Sequence, residues 1–136
     1  MAAGLPVVFH VNPPPRELFG LYRDAAVYWH GTGLEADLDH QPEEAEHFGI
    51  TIVEAMSAQC FPLVFNAGGP REFITHGIDG FLYGSREELV EMTSRLFNGG
   101  SSSLWRQAIG YAAGQKAATF SLSNFIDKVT NLIGHL

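Results

Sequence analysis

The stretch EHFGITIVE places two carboxylates around a helix start: Glu46 stands before it and Glu54, eight positions on, stands inside it. A helix beginning near Gly49 presents unpaired backbone N–H groups and the positive end of its dipole, a site for an anion. Glu54 then lies in the second turn, on one stripe with Thr51 and Ser57 at i−3 and i+3. Such a stripe fits a solvated face of an amphipathic helix. It also fits a ligand contact. The two oxygens of a carboxylate match a pair of vicinal hydroxyls, as in the ribose-binding acid of dinucleotide sites. Glu46 would reach a different part of the same molecule.

A second loop, NAGGPRE (66–72), offers another helix start, with Pro70 suited to the first helical position and Glu72 in the first turn. Glycine at 49, 68 and 69 lets the backbone approach a ligand that a Cβ would hold off. In an open parallel sheet ligands bind at the carboxyl ends of the strands, and both loops leave such an end.

The elements that must position these loops follow from hydrophobic period and breakers. LPVVFHV (5–11), AVYWH (26–30), FPLVF (61–65) and GFLYG (80–84) are expected strands. RELFGLYRDA (16–25) and GITIVEAMSA (49–58) are expected helices, and residues 31–47 a long exposed acidic loop. Ser85 caps the helix REELVEMTSRLF, with Glu88 completing a capping box. GGSSS is a break, and two closing helices cover 103–120 and 122–136. The β-α-β-α-β-α-β alternation predicts an α/β fold: a Rossmann-like parallel sheet with helices on both faces. Four strands are few for a doubly wound domain.

The chain has 136 residues, one domain's length, with a net charge of −7 from eight Lys and Arg against fifteen Asp and Glu. No basic stripe with aromatics is present, so nucleic acid is not an expected partner. The apolar runs are too short to span a bilayer, and the first residues carry no basic or long apolar leader. The single cysteine, Cys60, precedes FPLVF and is expected to be a buried, inert thiol; a cytoplasmic setting is the expectation.

Other candidates carry less. HGTGLEA (30–36) fits G-x-G-x-x-A after a strand, but DLDHQPEE follows with no helical period, so the dinucleotide fingerprint is rejected. Asp37, Asp39, His40, Glu43 and Glu44 lack metal-ligand spacing and are expected to be a solvated loop; no metal is assigned. His10, His76 and His135 are scattered and expected to be structural.

With these residues in view, the chain resembles the C-terminal, donor-binding domain of retaining GT-B glycosyltransferases. Glu46 and Glu54 match the family's E-x7-E motif, and Phe48, Gly49, Ile50, Ala55, Met56, Ser57 and Ala58 match its interior. NAGGPREFI and HGIDGFLY continue the likeness, which spans nearly the whole chain. Gln59 stands where the family has glycine, and so does Val11 in FHVNPPP, which looks like its base-contacting loop.

The resemblance implies that Glu54 binds the ribose hydroxyls of a nucleoside diphosphate sugar, such as a UDP-sugar, and that Glu46 holds the transferred sugar as the catalytic carboxylate. Phe48, Gly49, Ile50 and Thr51 would offer backbone N–H groups to the sugar and diphosphate. The substrate is the nucleotide sugar, and no cofactor is implied.

By the same resemblance residues 1–136 form a partial donor domain, truncated at its N-terminus. Its acceptor-binding N-terminal domain would be missing, and so would the basic residues for the diphosphate. Self-association through the edge nearest LPVVFHV is expected of such a fragment. Two alternatives stand beside transfer: a non-catalytic nucleotide-sugar binding module, and a GT-B relative such as a nucleotide-sugar epimerase.

Overall fold

The computed structural model describes residues 4–98 and 103–134. Three parallel strands form one sheet in the order β1-β2-β3: β1 (Val27–His30), β2 (Phe61–Phe65) and β3 (Phe81–Tyr83). The register pairs Val27 with Phe61 and His30 with Val64, then Leu63 with Phe81 and Phe65 with Tyr83. Strand residues alternate between faces. Phe61, Leu63 and Tyr83 therefore share one face, while Tyr28, His30 and Val64 share the other.

Helices cover both faces, as the alternation predicts. On the first, Leu89, Met92 and Leu96 of α4 (Arg86–Asn98) and Trp105 and Ile109 of α5 (Ser103–Ala118) pack on Phe61, Leu63 and Tyr83. On the second, Ile52 and Met56 of α2 (Ile50–Ser57) and Ala113 and Ala117 of α5 surround Val64, with Phe73 of α3 (Pro70–Phe73). Tyr22 of α1 (Pro15–Asp24) closes a third cluster with Ala55 and Cys60. The last helix, α6 (Leu122–Ile133), starts at Ser121, whose side chain accepts from the Asn124 N–H; none of its residues is buried.

The sheet departs from expectation at its start. LPVVFHV is not a strand: residues 6–10 have no regular structure, and Leu5, Val7, Val8, Phe9 and Val11 are exposed. Extended β-branched sequence becomes a strand only where a neighbour completes the hydrogen-bond ladder, and none does here among the described residues. The two sheet edges are therefore β1 and β3, and LPVVFHV is neither.

The loop 31–47 is more ordered than its composition suggests, with a short 3-10 turn at Pro42–Glu44 and Leu34 packed against the core. The break at 99–102 and His135 lie outside the described residues. At the start of α4, Ser85 Oγ accepts from the Glu88 N–H as expected. The Glu88 carboxylate, however, bonds the Gly84 N–H (2.6 Å) rather than closing back on Ser85.

Two stability expectations arise here. Gln59 adopts φ 61, the left-handed region, at the position where glycine is the family residue. That conformation costs an L-residue about 1–2 kcal/mol, so Gln59→Gly should stabilise the fold by about 1 kcal/mol. A rise in denaturant midpoint at constant slope would show it; a fall would mean the Gln59 side chain matters more than its backbone.

Cys60 is buried, its thiol reaching the Ala25 carbonyl at 3.5 Å, and desolvation pushes its pKa up to about 11. Only about one thiol in a thousand is then ionised at about pH 8, so native Cys60 should react with a maleimide about 100-fold more slowly than the unfolded chain. Equal rates would contradict this burial.

Candidate functional site

The carboxyl ends of β1 and β2 feed the two loops singled out above, and the structure brings them into contact. Gly69 N–H donates to the Glu46 carbonyl (2.8 Å). A Cβ on Gly69 would stand 1.8 Å from the His47 carbonyl oxygen, and one on Gly68 would stand 2.2 Å from that of Glu46. The glycine pair therefore lets NAGGPRE pack on EHFG. Its closeness is to the chain's own backbone, where the sequence suggested closeness to a ligand.

Gly49, at φ 84 and buried, turns the chain from this loop into α2. The Ile52 and Val53 N–H groups both bond the Gly49 carbonyl, and no side chain caps the helix. By helix geometry the N–H groups of Gly49, Ile50 and Thr51 have no partner within α2. They are left facing the carboxyl end of the sheet. The Thr51 hydroxyl takes a hydrogen bond from the Tyr28 hydroxyl (2.9 Å), which ties the helix start to β1.

Glu46 sits at the mouth of this turn with about a quarter of its side chain exposed. Oε2 lies 3.1 Å from His30 Nε2, and Oε1 accepts from the Phe48 N–H at 3.4 Å. Partial burial pushes its carboxyl up. The His30 and Phe48 hydrogen bonds push it down by more, so it rests below the usual carboxylate range. A depressed carboxyl adds stability above its unfolded value and loses it as pH falls through the folded value, so Glu46 is ionised at neutral pH.

Glu54 is exposed on α2 and lines a cleft of about 380 Å³ with Pro13, Pro15, Leu18, Phe19, Tyr22 and Ser57. Burial first, then the neighbouring Tyr28 and the Glu54 carboxylate, push the Tyr22 phenol up to about 12. Phe48 leans away from the helix start onto Phe73 and Phe120, with centroids at 5.5 and 5.4 Å.

Reasoning from sequence located Glu46, Phe48, Gly49, Ile50, Thr51 and Glu54 at one helix start, and the structure places them there. It missed Tyr22, Tyr28 and His30. Strand parity was the available signal: Tyr28 and His30 alternate onto the face that α2 covers. HGTGLEA leads into turns rather than a helix, which agrees with its rejection. Asp37 pairs with His40 (2.8 Å) and Glu35 with Arg86. Among the described residues no group of three or more His, Cys, Asp or Glu side chains could hold a metal ion, and no helix is long and apolar enough to cross a membrane.

A parallel α/β sheet covered by helices on both faces, with an uncapped helix start at its strand carboxyl ends, is a Rossmann-like architecture, the kind that forms each half of a GT-B glycosyltransferase. Its solved likenesses include Anabaena HepE in complex with UDP, at TM-score 0.65 and 22% identity, covering 85% of this chain and 29% of that one. HepE in complex with UDP-glucose aligns at TM-score 0.55 and 26% identity over 67% of this chain and 25% of that one. Residues 33–114 match the family Glycosyl transferases group 1, and the chain belongs to that family.

Among curated relatives, human alpha-1,3/1,6-mannosyltransferase ALG2 is 54% identical over 37 residues, 27% of this chain and 9% of the relative. Arabidopsis thaliana sucrose synthase 5 is 46% identical over 41 residues, 30% of this chain and 5% of the relative. The matches thus span under a tenth of those relatives' length.

Proposed function

We propose that residues 1–136 are the donor-binding part of a retaining glycosyltransferase that moves a sugar from a nucleoside diphosphate sugar to an acceptor. The observation that carries this is the helix start of α2, uncapped and flanked by Glu46 and Glu54. Unpaired N–H groups of Gly49, Ile50 and Thr51 receive the diphosphate and sugar, with Phe48 beside them. Glu54, exposed beside Pro13 and Pro15, takes the ribose diol, and Glu46 takes the hydroxyls of the transferred sugar. The reaction then rests on positioning and on stabilising the departing diphosphate, not on a protein nucleophile. A separate acceptor-binding domain completes the enzyme. The ligands of HepE, UDP and UDP-glucose, support a uridine nucleotide as the first donor to test.

The chain has no Lys or Arg between Arg23 and Arg71, so the diphosphate meets neutral backbone donors around α2. Charge-assisted bonds to phosphate contribute about 1.5–3 kcal/mol each, and without them UDP should bind this chain with a Kd of about 1 mM. Calorimetry at high ligand concentration, with Glu54→Gln weakening the interaction, is the expected result. No interaction at all would overturn the reading. Micromolar affinity would mean that Arg71 or another cation serves the phosphates.

A further inference from the structure

We propose that His30 is a positioning residue for Glu46, holding its carboxylate in the orientation that receives the donor sugar; this rests on the reading of Glu46 given above. Among the described residues, one buried side-chain polar atom lacks a hydrogen-bond partner, and it is His30 Nδ1. The ring is 6% exposed, at the end of β1, on the face shared by Tyr28 and Val64. An apolar side chain would fill that place without leaving a ring nitrogen unsatisfied, so packing does not account for a histidine.

The other nitrogen does. His30 Nε2 lies 3.1 Å from Glu46 Oε2 and 3.2 Å from Thr32 Oγ1. A carboxylate oxygen at that distance requires a proton between the two atoms, since two lone pairs would repel. Nε2 therefore carries a hydrogen, which it donates to Glu46 with Thr32 beside it.

The donor is itself held firmly. The buried Tyr83 hydroxyl donates to the His30 carbonyl (2.8 Å), and the β1–β2 ladder holds the backbone at Val64. Glu46 Oε1 meanwhile accepts from the Phe48 N–H of its own loop. One oxygen is thus referenced to the sheet and the other to the helix start. Removing the sheet reference leaves the loop in place through the Gly69–Glu46 backbone bond, but frees the carboxylate to rotate.

Two measurements on this chain decide the matter. Long-range proton–nitrogen NMR of the imidazole should show the Nε2–H tautomer of His30; an Nδ1–H tautomer would overturn the proposal. Ligand-observed NMR with millimolar UDP and UDP-glucose should then show a preference for the sugar nucleotide that falls about 10-fold in His30→Leu, with UDP itself unaffected. His30→Gln, whose amide N–H takes the place of Nε2–H, should keep most of the preference. Equal weakening of both nucleotides in His30→Leu, or no rescue by His30→Gln, would leave His30 a packing residue and overturn the proposal. Glu46→Ala separates the two readings. If it abolishes the preference and His30→Leu does not, only the role of His30 falls. If Glu46→Ala leaves the preference intact, the reading of Glu46 falls and takes this one with it.

Discussion

In a full-length enzyme carrying this domain, Glu46→Ala should lower kcat about 100-fold, while Glu54→Gln should raise KM and leave kcat nearly unchanged. The difference comes from where each carboxylate acts. Under the proposed reading Glu54 meets the ribose, remote from the breaking bond, so its contacts are alike in ground and transition states. Losing such uniform binding weakens the donor complex without slowing the step. Glu46 meets the sugar whose charge and shape change. Its carboxylate is held at both oxygens, by His30 Nε2 and the Phe48 N–H, as a positioning group requires. Steady-state kinetics at saturating donor would test the assignment. Lost turnover in Glu54→Gln beside a pure KM effect in Glu46→Ala would reverse the two roles.

Gly69→Ala should destabilise the fold by about 3 kcal/mol, at the upper end of overpacking costs. Its Cβ would stand 1.8 Å from the His47 carbonyl oxygen and 2.6 Å from its carbon, so backbone rather than a flexible side chain must move. The Gly69–Glu46 hydrogen bond would be disturbed with it. Gly77→Ala is the control: its φ is +80, but nothing lies within 4 Å of the added carbon. That variant should lose only about 1 kcal/mol, from backbone strain. Matching denaturant midpoints for the two variants would mean that the loops separate easily and that the glycine pair does not lock them.

The helix start, the two carboxylates and the cover on both sheet faces were legible because each depends on local pattern. Gly49 before an apolar period marks the start of α2, and Pro70 marks that of α3. What escaped depends on partners distant in sequence. LPVVFHV has strand composition but no neighbour to pair with among the described residues. His30 draws its meaning from Glu46, sixteen residues on, and from Tyr83, fifty-three residues on. Gly68 and Gly69 were expected to let a ligand come close, and the close approach that the structure shows is of another kind. Nothing in their types says that the approaching group is residues 46–48 of the same chain.

Helix α6 is capped by Ser121 and presents Leu122, Phe125, Ile126, Leu132 and Ile133 largely to solvent, with no residue buried. A 12-residue helix without tertiary burial is marginal in water, so its amides open by local fraying. Ile52, Met56, Leu63 and Val64 are fully inaccessible, so the elements that carry them should open last. Hydrogen exchange should therefore divide the chain into two cooperative units: a slow unit of the sheet and α2, and a fast C-terminal helix.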